Sequence, residues 1–284
     1  MLSMTKRNEK LSNLEHDLPE GLLVDAKWLG KRGFSTSLRS QYVTAGRLEQ
    51  PANRVYRRPR GSLGWQQIVI SLQTLLEWPL TVGGRTSLEW QGFAHYLSKT
   101  LREVHLYGPK PPPTWLKNLP TGEVHFLYHN DHKLFRRTLE QSELKRFTEN
   151  PSSDQLKNSS WLMTNFTTER WGQFEWPLVL STPERAILEL LDELPNRESF
   201  EQVDKLMSSL TTLSPRRLEK LLFDCRNVKV KRLFFFFADR HKHAWLKHLD
   251  KASFDLGTGK RMLVKGGKLD PHYQITVPED LNAL

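Results

Sequence analysis

Between Lys27 and Arg60 the chain carries nine basic side chains, Lys27, Lys31, Arg32, Arg39, Arg47, Arg54, Arg57, Arg58 and Arg60, against the single acid Glu49. Nine cations less one acid leave a local charge of +8, the electrostatic footprint of a protein that lies on a polyanion, most often DNA. Within this stretch Thr36, Ser37, Arg39 and Ser40 are the residue types that read a major groove. Arginine bonds guanine, serine and threonine bond base edges and phosphates, and none of these side chains holds the backbone away by bulk. Ser35 or Thr36 is a natural cap for the helix that carries them.

Other residues invite other chemistry. His125, His129 and His132 suggest a metal, but no strand or helix places all three on one face and no carboxylate completes a set. Asp131 with Glu143-Leu144-Lys145 echoes the Asp and Glu-x-Lys of Mg2+-dependent nucleases, which need the Glu-x-Lys on a buried strand, whereas 141–150 is polar and reads as helix. Gly83-Gly84 at a helix start could cradle a phosphate through its amides, or simply allow close packing. A nucleotidyltransferase would need acidic residues in Asp-x-Asp spacing a little further on, where His95-Tyr96-Leu97 stands instead. Lys229, Lys231 and Arg232 form a second basic cluster, either a solvated helix end or a contact for RNA or a protein partner. Gly259-Lys260 lacks the earlier glycine and the following Ser or Thr of a phosphate loop. No metal, cofactor or catalytic residue is expected.

The elements that must position the basic stretch are legible. A short polar helix over Lys6–His16 is broken by Pro19 and Gly21, and a helix from Leu22 to Lys31 buries Leu22, Ala26 and Leu29. Gly33 ends it, and a helix from Thr36 to Ala45 follows, with Leu38, Tyr42 and Ala45 inward. Arg47–Gln50 and Arg54–Arg57 read as two strands of a basic wing whose arginines reach flanking phosphates or the minor groove. Apolar residues from Ser62 to Trp78 predict a helix, and Gly84 opens another to Leu97. Glu103–Tyr107 and Glu123–Tyr128 alternate as strands of one sheet. Helices are expected from Thr182-Pro183 to Leu194 and from Ser214-Pro215 onward. Val230, Leu233, Phe234, Phe237 and Ala238 recur at helical spacing. Phe235 and Phe236 fall off that stripe and need a second layer or a partner. Lys260–Val264 and Tyr273–Val277 predict a terminal hairpin.

The whole chain has 284 residues, a net charge of +10 and a hydrophobic content of 38% with nine Trp and fourteen Phe, enough to fold around a sizeable core. With Cys225 as the lone cysteine, no intrachain disulfide or Cys-based zinc site can form. Neither a signal-like nor a membrane-length apolar run is present, so a cytoplasmic, nucleoid-associated protein is expected, with no membrane partner.

Gly33 to Pro59, followed by Val82-Gly83-Gly84-Arg85-Thr86-Ser87-Leu88-Glu89, resembles the AbiEi family of antitoxin transcriptional regulators. The likeness continues through Pro183–Leu191, Val228–Phe234, Asp255–Arg261 and Tyr273–Pro278, in the order of that family's longer branch. The resemblance implies a winged helix-turn-helix that represses its own operon, fused to a larger domain that counteracts a nucleotidyltransferase toxin of the AbiEii type, often without a tight complex. The expected fold class is therefore α+β: an N-terminal winged helix-turn-helix over 1–62, then a larger mixed α/β domain over 63–284, with 63–98 as a helical connection. The expected DNA-binding set is Lys31, Arg32, Ser35, Thr36, Ser37, Arg39, Ser40, Arg47, Arg54, Arg57, Arg58 and Arg60, acting on an inverted repeat of double-stranded DNA in the chain's own promoter. Lys229, Lys231 and Arg232 are the candidate toxin or RNA contact. The competing readings are an Mg2+-dependent nuclease with a DNA-binding domain, an orphan DNA-binding regulator, and a protein-binding adaptor whose basic surface is incidental.

Overall fold

The computed structural model describes residues 2–93, 101–149 and 160–282. His95, Tyr96 and Leu97, and the end of the helix expected to reach them, lie outside the described residues.

The N-terminal module runs α1 (Leu2–Asp17), β1 (Leu23–Asp25), α2 (Ala26–Lys31), α3 (Thr36–Thr44), β2 (Glu49–Ala52) and β3 (Val55–Arg57). Its three strands pair antiparallel in the order β1-β3-β2. The expected helix from Leu22 is shorter at its start, because Leu23 and Val24 pair with Arg57 and Tyr56 as a strand. Asp25 then caps α2, its Oδ1 accepting the Trp28 amide at 2.7 Å. The helical spacing of Leu22, Ala26 and Leu29 arises because strand and helix both turn these residues inward.

A five-stranded sheet follows in the order β6-β5-β4-β8-β7, built from β4 (Thr81–Val82), β5 (Glu103–Gly108), β6 (His125–Asn130), β7 (Phe166–Trp171) and β8 (Trp176–Ser181). β5 runs parallel to β6 and antiparallel to β4, while β8 runs parallel to β4 and antiparallel to β7. One face presents Val82, Val104, Leu106, Leu178 and Leu180 to α4 (Trp65–Thr74) and to the winged module, whose Leu23, Leu29, Tyr42 and Val55 join the same apolar cluster. Residues on either side of position 62 therefore share one core, with α4 between them. Gln73 of α4 compensates for the shortness of β4: its amide takes the place of a strand residue, donating to Leu80 and Val179 carbonyls and accepting the Val179 N–H.

The opposite face supports α5 (Gly84–Trp90) and α8 (Pro183–Asp192). Beyond α6 (Gln141–Glu149) and α7 (Ser160–Asn165), the helices α9 (Phe200–Ser209), α10 (Pro215–Asp224) and α11 (Val228–His241) build a second apolar cluster with α8. α11 is helical as its spacing predicts, and the second layer that Phe235 requires is the C-terminal segment: its ring lies 5.5 Å from that of Phe254 and 6.5 Å from that of Tyr273. Phe236 is also buried. The terminal hairpin differs from expectation. β9 (Lys268–Asp270) pairs with β10 (Ile275–Val277), and of the earlier segment only Arg261 makes an isolated bridge to Ile275.

Candidate nucleic-acid interface

The geometry of the basic module begins with its turn. Gly33 adopts φ of +80°, a conformation that a side chain would strain, and lets the chain reverse between α2 and α3. Ser35 caps α3, its Oγ accepting the Leu38 amide at 3.3 Å. Phe34 and Tyr42 meet edge to face with ring centroids 6.1 Å apart and fix the inner side of α3. Ser37, Ser40 and Thr44 are thereby left exposed along one outer stripe at i, i+3 and i+7. No acid occurs in α3. An exposed stripe of short hydroxyl side chains without negative charge is what a helix needs to enter a groove closely. Thr44 was not among the expected residues, although its spacing from Ser37 and Ser40 could have found it.

The cations divide into two groups. Lys31, Arg47 and Arg54 are exposed and make no ion pair among the described residues, and Arg47 rests over the Tyr42 ring at 5.7 Å. Arg32 is half-exposed, its Nε 3.2 Å from Asp17, with its guanidinium over Trp28 at 3.6 Å. Arg60 bonds Glu20 at 2.8 Å and covers Phe174 at 4.9 Å. Arg39 lies on the flank of α3 and spends its guanidinium on the Ala26 carbonyl at 3.1 Å and on Thr36 Oγ1 at 2.8 Å. That geometry braces α2 against α3 instead of leaving a free fork for a base.

Arg57 and Arg58 depart furthest from expectation. Arg57 is buried, its Nε 2.6 Å from Glu49 and its Nη2 donating to the Gly61 carbonyl at 2.7 Å. Arg58 donates to the Glu15 and Leu18 carbonyls and pairs with Glu20 at 3.1 Å, tying the wing to the end of α1. Both side chains hold the module together. Charge density alone could not separate them from Arg54, because burial depends on which strand face each residue occupies.

The second basic cluster is likewise turned inward. Arg232 is 3% exposed and donates to the carbonyls of Leu256, Gly259 and Gln274. Lys231 is buried, and Lys229 bonds the Asp192 and Leu194 carbonyls at 2.6 and 2.9 Å. Lys229 fastens α11 to α8 and Arg232 fastens it to the C-terminal segment, while Lys231 is buried, so a toxin or RNA contact does not fit them.

The nuclease residues do not converge. Glu143 sits in the first turn of α6, bonding Arg137 at 2.5 Å and the Glu140 amide at 3.1 Å, and Lys145 points to Glu77 at 3.4 Å. Asp131 instead faces Arg185 at 3.1 Å. Among the described residues no group of His, Cys, Asp and Glu is arranged to hold a metal ion. His129 stacks on His105 and Tyr107 and bonds Glu193 at 2.9 Å, whereas His125 and His132 are exposed. Burial and the neighbouring His129 lower the His105 pKa to about 3.

Gly83-Gly84 and Pro183–Leu191, far apart in sequence, meet beneath the sheet. The fully buried Arg185 donates to Glu189 at 2.8 Å, Asn165 at 2.6 Å and Asp131 at 3.1 Å, between the rings of Phe135 and Phe166. Glu189 also accepts the Gly84 amide at 2.9 Å and the Ser181 hydroxyl at 3.0 Å. Burial raises the pKa of Glu189 and of Asp131, and the Arg185 charge opposes both shifts. A Cβ on Gly83 would collide with the Glu189 carboxylate and the Tyr107 ring. The glycine pair is thus there for close packing, with its amide given to a protein carboxylate.

No curated protein sequence matches the chain significantly. The crystal structure of the RV2827C protein from Mycobacterium tuberculosis has the same overall fold, with a TM-score of 0.55 at 15% identity, covering 93% of this chain and 88% of that one. The family model described as transcriptional regulator, AbiEi antitoxin, type IV TA system matches residues 101–278, and the model of the AbiEi antitoxin N-terminal domain matches residues 7–99. Within the described residues no helix is long and apolar enough to cross a membrane. The chain belongs to the AbiEi antitoxin family of transcriptional regulators of type IV toxin–antitoxin systems.

Proposed function

We propose that this regulator represses its own operon by placing α3 in the major groove of an inverted repeat in its promoter, and that the larger domain counteracts a nucleotidyltransferase toxin encoded beside it. The observation that carries the DNA reading is the acid-free outer stripe of α3, Ser37, Ser40 and Thr44, flanked by the exposed cations Lys31, Arg47 and Arg54, which pair with no acid among the described residues. In this reading the hydroxyls face base edges, and the flanking cations fix the register on phosphates. Ser35, Thr36, Arg32, Arg39 and Arg60 border the groove, with Arg57 and Arg58 holding the wing in place behind it. No cofactor and no catalytic step is invoked, and the protein acts in the cytoplasm on the nucleoid.

Footprinting on the DNA upstream of its reading frame tests the proposal. A protected inverted repeat at protein concentrations that leave random DNA open is expected, and equal protection of both would refute it. For the toxin, co-expression of the full chain with the adjacent reading frame should restore growth. Equal rescue by the residue 1–62 piece would remove the larger domain's assigned role.

A further inference from the structure

His105 of β5 and His129 of β6 lie on the sheet face that supports α5 and α8, with side chains 2% and 9% exposed. The Glu193 carboxylate accepts, so His129 donates to it from Nδ1 at 2.9 Å and, as a neutral ring, presents a bare Nε2. His105 Nδ1 stands 3.0 Å from that nitrogen and is its donor. This leaves His105 Nε2 as a lone-pair acceptor, and that buried atom has no hydrogen-bond partner among the described residues. Facing it at 3.9 Å is a carboxylate oxygen of Glu103, two residues earlier on the same strand. The gap is too long for a hydrogen bond, and two acceptors so placed repel unless a cation stands between them. Arg85 is held by Glu198 and Glu89, and Arg197 by Glu193, so neither guanidinium fills it.

A third donor comes from the neighbouring strand. β5 and β6 run parallel with Glu103 opposite His125, so Glu103, His105 and His125 share one face of two strands about 5 Å apart. Glu103 and His125 are exposed and line a cavity of about 700 Å3 with Arg85, Arg102, Arg197 and Glu198. Zinc bonds of about 2.0 to 2.2 Å place imidazole nitrogen and carboxylate oxygen about 3.4 Å apart in a tetrahedron, roughly half an ångström closer than His105 Nε2 and Glu103 now stand. As they stand, the three side chains are not gathered round one point. Rotation of the two exposed ones onto the fixed His105 gathers them. Two imidazoles and one carboxylate form a zinc-type donor set that keeps its fourth position open, and a hydrogen-bonded relay such as His129–Glu193 is what orients a ligating imidazole.

We propose that Glu103, His105 and His125 bind a divalent, zinc-like ion, positioned by the His129–Glu193 pair and open to the cavity at its fourth coordination position. The ion joins the starts of β5 and β6 and offers that position to water or to an oxygen ligand from the cavity. DNA binding plays no part in this site.

The full chain, stripped with a chelator and desalted, is titrated with Co2+ alone, whose visible absorption is intense when its coordination is tetrahedral. One equivalent should develop those bands, and one equivalent of Zn2+ should bleach them. Glu103→Ala and His125→Ala alter exposed side chains and should abolish the bands while melting like the metal-free wild type. His129→Phe, which keeps a ring against Tyr107 and removes the acceptor for His105, should weaken binding about 10- to 100-fold. His132→Ala, which removes an exposed histidine from outside the set, should bind as wild type does. Failure of the wild type to develop bands at one equivalent, their survival in His125→Ala, or an equal loss in His132→Ala overturns the site. Unchanged affinity in His129→Phe overturns the positioning role given to the pair.

Discussion

Arg54 and Arg57 are three residues apart on one wing, and the structure assigns them opposite consequences. Arg57 is 9% exposed at its side chain, with one bond to Glu49 at 2.6 Å and one to the Gly61 carbonyl at 2.7 Å. A buried bond made by a charged donor is worth about 1.5 to 3 kcal/mol net. The Glu49 side chain is 46% exposed, so water and salt screen that half of the arrangement, and its share is cut to well below the buried value. Removing the guanidinium in Arg57→Ala should therefore cost about 2 to 3 kcal/mol and lower the melting temperature by about 4 to 6 °C, at the roughly 2 °C per kcal/mol of a chain this long. Arg54 has no such partner among the described residues. Arg54→Ala should leave the melting temperature within about 1 °C of wild type and lower the salt slope of DNA binding by about 0.9. Thermal unfolding by circular dichroism and salt-titrated binding on the same preparations decide the matter. An Arg57→Ala protein that melts like wild type but loses DNA slope would refute the reasoning, since it would make Arg57 a phosphate contact.

Three further outcomes follow from the buried polar centre. Arg185→Leu leaves Glu189 and Asp131 buried without their cation and should cost about 3 to 5 kcal/mol in urea unfolding, whereas a loss under about 1 kcal/mol would contradict the network. Gly83→Ala drives a Cβ into Glu189 and Tyr107 and should destabilise by about 1 to 3 kcal/mol, so a neutral change would remove the close-packing explanation. His105 has a folded-state pKa near 3, below its ordinary 6.5, so as pH falls the unfolded chain binds the proton first. Stability is thus lost from about pH 6.5 downward and reaches a deficit of about 3 kcal/mol at pH 4.5. His105→Asn should flatten that limb of a stability-against-pH curve, and an unchanged limb would show that other groups carry it.

The readable parts of the fold were those governed by local chemistry. Ser35 and Gly33 bound α3, Pro183 opens α8, and the spacing in 230–238 declares a helix despite four consecutive phenylalanines. β1 was missed because Leu22, Ala26 and Leu29 satisfy a helical period while Leu23 and Val24 answer to a strand partner more than thirty residues away. β7 and β8 went unread for a similar reason: Phe166–Ser181 forms a hairpin whose pairing and burial come from tertiary packing. At the candidate site, residue type gave the hydroxyl stripe and the charge, but not the partners. Arg57, Arg58, Lys229 and Arg232 are as basic in sequence as Arg54, and only the carbonyls and carboxylates brought to them by other segments decide that they are structural.

In the proposed complex the outer face of α3 lies against bases. Cys225 is fully buried, so a cysteine introduced as Ser40→Cys can carry a photo-crosslinker selectively. Irradiated on the upstream duplex, this protein should crosslink to bases inside the footprint, while the same group on Lys247→Cys should not. Absence of crosslinks from position 40 on a duplex that the protein demonstrably protects would contradict the claim.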